Sequence, residues 1–263
     1  MELGLKGKVA LVGGASRGIG RACATSLSQE GASVVVCARD EKALTATAEE
    51  IRAATHGNVL SVAADLSEAS EIERLFHTVA ERFGTIDVLV NNTGGPPPGK
   101  SDILTDENWK TAVERTLLSV VRCCRAATPW MKSKGWGRIV NIVSTSVRQP
   151  IETLVLSNSV RLAVIGYAKS LSRELGPSGI TVNNVLPGRV DTDRYRELLQ
   201  AAARREEKTL EQAKKDHEAE VPVGRFAAPS EIGDAVAFLC SEKAAYINGV
   251  SLAVDGGLVQ VPI

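Results

Sequence analysis

A chain of 263 residues, 44% hydrophobic and 24% charged, has the make-up of an ordinary globular protein with ample material for a core, which excludes general disorder. Lys+Arg and Asp+Glu balance at 31 each, so no net field draws it to nucleic acid or an anionic membrane, and any charged ligand must be held locally. No stretch approaches the length of a membrane span, and the apolar run near the N-terminus breaks into glycines, too short for a signal peptide.

Along the chain, short β-branched apolar runs alternate with longer segments of helical period, the pattern of βαβ units. The first strand, Val9–Val12, runs into the cluster Gly13-Gly14-Ala15-Ser16-Arg17-Gly18-Ile19-Gly20, which opens a helix near Gly20–Glu30. A second strand, Ser33–Cys37, is followed by Ala38, Arg39 and a helix over Glu41–Ala54; a third, Val59–Ala63, is followed by Asp65-Leu66 and a helix over Ser67–Phe83. The fourth, Val88–Asn91, leads into Asn91-Asn92-Thr93-Gly94 and the stretch Gly95-Pro96-Pro97-Pro98-Gly99, a loop because proline lacks a donor and glycine favours turns. A long helix is expected over Asp106–Lys134, then a strand over Arg138–Val143, a helix over Leu154–Leu175 and a sixth strand over Thr181–Leu186. The charged segment from Arg194 to Glu220 is helix-prone, and reads either as a solvated excursion or as a lid over a substrate. A helix over Ser230–Cys240 and a strand over Ser251–Val254 close the pattern. No linker divides the chain, so residues 1–263 form one α/β domain, a doubly wound parallel sheet of seven strands flanked by helices, with a helical lid at about 194–220.

The five cysteines form an odd set without CxxC spacing, which points to reduced thiols in a cytoplasmic protein. His56, His77 and His217 are scattered, and no metal site is expected.

Glycines after a first strand let the backbone approach a pyrophosphate, whose charge is stabilised at the N-terminus of the following helix. The spacing here is GxxxGxG, and with Asp65-Leu66, the Asn91–Gly94 motif, Pro187-Gly188 with Thr192, and Asp255-Gly256-Gly257 it resembles the short-chain dehydrogenase/reductases, 3-oxoacyl-carrier-protein reductases among them. The resemblance implies a Rossmann-type domain in which Gly14, Ser16, Gly18, Ile19 and Gly20 cradle the phosphates and Asp65 and Leu66 meet the adenine. Asn91 and Gly94 would border the ribose, and Pro187, Gly188 and Thr192 would face the nicotinamide. Two positions depart from the family pattern: Gly13 stands where threonine is usual, and Thr93 where alanine is. No carboxylate ends the second strand to select NAD; Arg39 and Arg17 are instead suited to clamp a 2′-phosphate, which makes NADP(H) the expected cofactor.

The family's catalytic tyrosine and lysine are missing. Ser144 fits the serine that orients the carbonyl, but the YxxxK motif reads Ser157-Asn158-Ser159-Val160-Arg161, and the family's asparagine for a proton-relay water falls at Thr116. Tyr167, Tyr195 and Tyr246 are followed four residues later by Leu171, Leu199 and Val250, so none of them restores the motif. A serine hydroxyl is far more basic than a phenolate once deprotonated, and an arginine, with a pKa above about 12, is a poor proton donor. The expected function is hydride transfer between NADP(H) and a small carbonyl or alcohol substrate through this non-standard site. Ser144 would bind the oxygen, Arg161 supply charge and hold the nicotinamide ribose, and Ser157 or a water relay the proton. The alternative is an NADP(H)-binding homologue without turnover, serving as a sensor or partner subunit. Nothing in these residues selects an acyl thioester. The family pairs the helices at Asp106–Lys134 and Leu154–Leu175 across a two-fold axis, which implies a homotetramer; Leu117, Leu118, Val121 and Cys124 are spaced to give one apolar face.

Overall fold

The computed structural model describes residues 2–261. Among them, seven parallel strands form one sheet: β1 (Val9–Val12), β2 (Ser33–Ala38), β3 (Val59–Ala63), β4 (Val88–Asn91), β5 (Gly137–Ile142), β6 (Ile180–Pro187) and β7 (Ser251–Val254), in the order β3-β2-β1-β4-β5-β6-β7. Every residue of β1, β4, β5 and β6 is buried. Helices cover both faces, which is why these strands read as continuous apolar runs rather than as alternation. The strand order reverses between β1 and β4, and a doubly wound sheet takes its ligand in the crevice beyond the carboxyl ends of the strands at that point.

The helices are α1 (Gly18–Gln29), α2 (Glu41–Thr55), α3 (Ala69–Phe83), α4 (Asp106–Ala112), α5 (Ser119–Lys134), α6 (Val155–Leu175), α7 (Asp193–Arg205), α8 (Leu210–Ala219) and α9 (Pro229–Leu239). Leu27 of α1, Leu44 of α2 and Val236 of α9 pack with Val12, Val36 and Val185 on one face; Leu75 of α3, Met131 of α5 and Leu175 of α6 pack with Leu11, Leu89 and Ile139 on the other. Each such side chain taken out of water stabilises the fold by about 1.5–3 kcal/mol before entropy is counted.

Three elements differ from the sequence reading. The helix expected over Asp106–Lys134 is interrupted by a π-helical turn at Val113–Leu118. Hydrophobic period over a long window does not register one extra residue in a turn. α3 begins at Ala69 rather than Ser67, because Ser67 folds back and donates from both its N–H (2.9 Å) and its hydroxyl (2.6 Å) to Asp65 Oδ1. The charged segment is two helices, α7 and α8, with a break where Glu207 takes φ 53° and Thr209 and Gln212 cap the second helix reciprocally. Leu199, Ala203 and Ala213 bury a small core of their own against Phe226, and the Tyr195 hydroxyl lies 2.8 Å from His217 Nδ1, so the two helices hold each other.

A row of amides crosses the sheet just below its carboxyl edge. Asn91, Asn141, Asn184 and Ser251 stand side by side in register on β4 to β7. Asn91 donates to Asn141 Oδ1 (2.9 Å), Asn141 to Asn184 Oδ1 (2.9 Å), and Asn184 to Ser251 Oγ (3.2 Å). All three asparagines are buried, and each finds its partner on the neighbouring strand, which removes the cost of burying them.

Candidate active site

β1 ends at Val12, and the chain turns at once: the Gly13 N–H donates to Val90 O (3.0 Å), while Asn92 Nδ2 donates to Gly13 O (3.2 Å) and Gly14 O (3.3 Å). Gly14 has φ 56°, the left-handed region that favours glycine, and a Cβ on Gly20 would lie 2.2 Å from Gly14 O, so the turn closes only around glycine. Gly13 is equally close-set, since a Cβ there would lie 2.8 Å from Asn92 O, which accounts for the absence of a side chain at that place. No side chain caps the N-terminus of α1, so the first-turn N–H groups and the helix dipole are left to an anion.

Beyond this turn opens a cavity of about 710 Å³. Gly14, Ser16, Arg17, Arg39, Asp65, Leu66 and Gly94 line it, together with Asp40, Asn92, Thr93, Gly95 and Arg115. Arg17 and Arg39 are exposed on its rim with only loose carboxylate neighbours, Asp193 at 3.9 Å and Asp65 at 3.8 Å. Asp40, one residue after Arg39, is occupied as the cap of α2, accepting from Ala43 N at 3.0 Å. Burial tends to raise the Asp65 carboxyl, but hydrogen bonds from Ser67 and the charges of Arg39 and Arg115 outweigh it and hold the group below its ordinary value. Of the residues expected to hold the nucleotide, Gly14, Ser16, Arg17, Arg39, Asp65, Leu66 and Gly94 meet in this one place, whereas Gly18, Ile19, Gly20, Pro187, Gly188 and Thr192 are not on its wall, Gly18 and Thr192 lining a second hollow beside it. The side chain of Asn91 does not reach the cavity; it is bonded to Asn141 and lies 3.4 Å from Cys124 Sγ, and it is Asn92 that lines the space. Alternation along a strand sends adjacent residues to opposite sides, so only one of two neighbouring asparagines faces the ligand. Arg115, which no sequence motif singles out, adds a third cation to the wall.

Ser144, Ser157, Arg161 and Thr116 do not line this cavity; they belong to the adjoining corner between β5, α6 and the π turn. Ser144 follows β5, and its Oγ accepts from Ser146 N at 3.1 Å, which leaves its own O–H to donate. Ser157 is buried on the first turn of α6, and Arg161 follows four residues later on the same helix face. Arg161 Nη1 donates to Ile142 O (3.0 Å) and Val143 O (2.9 Å) at the end of β5. Burial, helped by the positive charge of Arg194, pushes the guanidinium down to about 10, below the range expected from sequence yet still protonated at neutral pH. Thr116 lies in the middle of the π turn, buried, with no hydrogen-bond partner for its hydroxyl. Pro187 ends β6, and its carbonyl accepts from Thr145 Oγ1 (3.3 Å); Gly188 lies so close to β7 that a Cβ would come within 2.7 Å of Asp255. Thr192 caps α7, and a Cβ on Gly18 would meet its methyl at 3.3 Å, so α7 starts against the glycine turn.

The family model described as enoyl-(acyl carrier protein) reductase matches residues 14–259, nearly the whole chain. The chain belongs to the short-chain dehydrogenase/reductase family. The chain is 36% identical to the 3-oxoacyl-[acyl-carrier-protein] reductase of Escherichia coli over 98% of its own length and 100% of the relative's. Among solved structures, a variant of the actinorhodin polyketide ketoreductase with NADPH superposes with a TM-score of 0.93 at 38% identity, covering 97% of this chain and 98% of that one. The L-sorbose reductase of Gluconobacter frateurii, complexed with NADPH and L-sorbose, gives a TM-score of 0.95 at 30% identity, covering 99% and 100%.

In this short-chain dehydrogenase/reductase the three tyrosines stand elsewhere. Tyr195 is bonded to His217 between α7 and α8 and is pushed up to about 12, chiefly by burial. Tyr167 packs beside Cys124 and the core on the far side of α6, where burial raises it further, and Tyr246 is fully exposed. Among the described residues no group of His, Cys, Asp and Glu is placed to hold a metal, and no helix is long and apolar enough to cross a membrane.

Proposed function

We infer that this protein transfers a hydride between NADP(H) and a carbonyl/alcohol pair, reducing a C=O to CH–OH as NADPH becomes NADP+ and one proton is taken up. The observation that carries the reading is the polar corner beside the nucleotide cavity: a cation anchored on the end of β5 occupies it with two serines, Ser157 one helical turn before it on α6 and Ser144 just after β5. NADPH, when bound, supplies the hydride. Ser144 donates a hydrogen bond to the substrate oxygen, Arg161 stabilises charge that develops there and meets the nicotinamide ribose, and Ser157 or a water hands over the proton. Gly14, Ser16, Gly18, Ile19 and Gly20 surround the pyrophosphate, Asp65 and Leu66 the adenine, and Gly94 the ribose; Pro187, Gly188 and Thr192 face the nicotinamide, and α7 and α8 close over the substrate. The named relatives act on ketoacyl groups and on L-sorbose, so the reaction is theirs while the proton route is this chain's own. Hydride exchange into labelled NADP+ across a panel of ketones and alcohols tests it. A protein that binds the nucleotide tightly and exchanges nothing is a sensor or partner subunit instead.

The cofactor is NADP(H), and Arg17 and Arg39 are the residues that distinguish it from NAD(H). Arg39→Asp is expected to reverse the preference, because each charge-assisted contact to the 2′-phosphate contributes about 1.5–3 kcal/mol. Calorimetric titration of both nucleotides decides, and equal affinities in the wild type would remove the argument.

The protein is expected to be a homotetramer through α5–α6 and the C-terminal strand. The apolar face read from sequence is partly taken up inside the monomer, where Cys124 is buried and Leu117 packs on the core. What remains outside is Leu162 on α6 and Val250 and Leu252 around β7, all exposed. Light scattering that reports a monomer at micromolar concentration overturns this. Five buried free thiols suit the reducing cytoplasm.

A further inference from the structure

Arg161 has two of its five N–H groups on backbone carbonyls, both from Nη1, and none of the remaining three has an acceptor among the described residues. Nor does it have a carboxylate: the only charge acting appreciably on it is that of another cation, Arg194. Its Nη2 reaches the loop after β4, where a methyl on Gly95 would lie 3.9 Å away and one on Gly94 would meet nothing within 4 Å. Arg194, on the first turn of α7, meets the same loop and donates to Pro96 O at 3.3 Å; its nearest carboxylate, Glu197, is 3.6 Å away and mostly exposed. Two guanidiniums therefore flank the Gly94–Pro96 loop, and the acids close to the site, Asp65 and Asp40, are bonded to Ser67 and Ala43 on the adenine side of the cavity. A partly desolvated cation with free donors and no counter-charge, as Arg161 is, favours a ligand that brings the charge with it, and Arg194, whose pair with Glu197 is loose and solvent-exposed, stands beside the same loop to share it. The pyrophosphate does not serve, because its place is the N-terminus of α1, and ribose hydroxyls and simple ketones carry no charge.

We propose that Arg161 and Arg194 together hold a carboxylate of the substrate, so that the protein acts on oxo acids or hydroxy acids rather than on neutral ketones or thioesters. The proposal deepens the reductase reading and rests on it for the identity of the site. Arg161 is in the floor of the site and Arg194 in the lid, so an acid of the right length bridges the two and draws α7 down over itself, bidentate geometry at either guanidinium fixing its orientation.

The test compares 2-oxobutyrate, acetoacetate and levulinate, in which the carboxylate stands progressively farther from the carbonyl, each against its methyl ester. Binding is measured on the NADP+-loaded protein, which cannot reduce them, and turnover separately with NADPH. At least one acid is expected to bind about tenfold more tightly than its ester, and Arg194→Met to bring that ratio close to one; NADP+ affinity serves as the control for folding. Arg161→Gln is the second variant and is expected to lower the same ratio, with circular dichroism as its control for folding because Arg161 also meets the nicotinamide ribose. An acid that binds selectively but is never reduced keeps the anion site and ends the reductase reading. Esters reduced as well as their acids keep the reductase and end the anion site. A series in which no acid is preferred, or a preference that survives both substitutions, also ends it.

Discussion

A protein carrying Ser157→Tyr together with Arg161→Lys is expected to reduce neutral ketones with NADPH at least about a hundredfold faster than the wild type, since a positioned proton donor contributes about 10²–10⁴-fold. The two positions are one helical turn apart on α6, with Ser157 buried against the corner and Arg161 anchored on the carbonyls that end β5. A phenol with an ordinary pKa of about 10 is close enough to neutrality for a neighbouring ammonium to tune, whereas a serine hydroxyl is not. Each single change should do less. Arg161→Lys alone has no phenol to activate, and Ser157→Tyr alone faces a planar guanidinium already committed to Ile142 and Val143. Thr116→Asn, added as a third change, supplies an amide where a threonine hydroxyl now lies buried without a partner. NADPH consumption with a ketone panel is the readout. A double variant that folds, binds NADPH and reduces nothing sinks the idea. One that loses an activity the wild type possesses identifies Ser157 and Arg161 as a working site of different design.

The second large effect is on stability. Replacing Asn141 by leucine is expected to cost about 2–6 kcal/mol, because it leaves the amides of both Asn91 and Asn184 buried without their central partner, at about 1–3 kcal/mol each. Leucine has nearly the same shape, so the loss reports hydrogen bonding rather than a cavity. Urea unfolding followed by circular dichroism measures it, and a change smaller than about 1 kcal/mol would show that the Asn91 amide finds another acceptor and the Asn184 carbonyl another donor. The nucleotide turn lies on β1, outside this row, so NADPH should still bind to whatever fraction remains folded.

Much of this architecture is legible in the chain. Runs such as Val34-Val35-Val36 and Val88-Leu89-Val90 announce buried parallel strands, because helices on both faces leave no polar alternation. The glycine turn is legible because steric need at Gly14 and Gly20 leaves a fixed spacing in the sequence. What is hidden depends on direction in space. Asn91 and Asn92 are adjacent in the motif, yet one serves the sheet and the other the cavity. Arg194 reads as the start of a charged, helix-prone run and Arg115 belongs to no motif, and only the packing of their helices brings them to the cavity wall and the Gly94–Pro96 loop.

The π turn at Val113–Leu118 sets the phase of everything after it. With its extra residue, α4 presents Trp109 and Ala112 to Leu156 and Val160 of α6, while α5 presents Val120, Cys124 and Met131 to the sheet. Taking one residue out of the turn would rotate α5 by about 100° relative to α4, since an α-helix holds 3.6 residues per turn. Either the apolar stripe of α5 would swing from the sheet toward solvent, or Thr116 would leave its place against α6. The length of this short stretch is therefore constrained from both ends at once, by the packing of α4 on α6 before it and of α5 on the sheet after it.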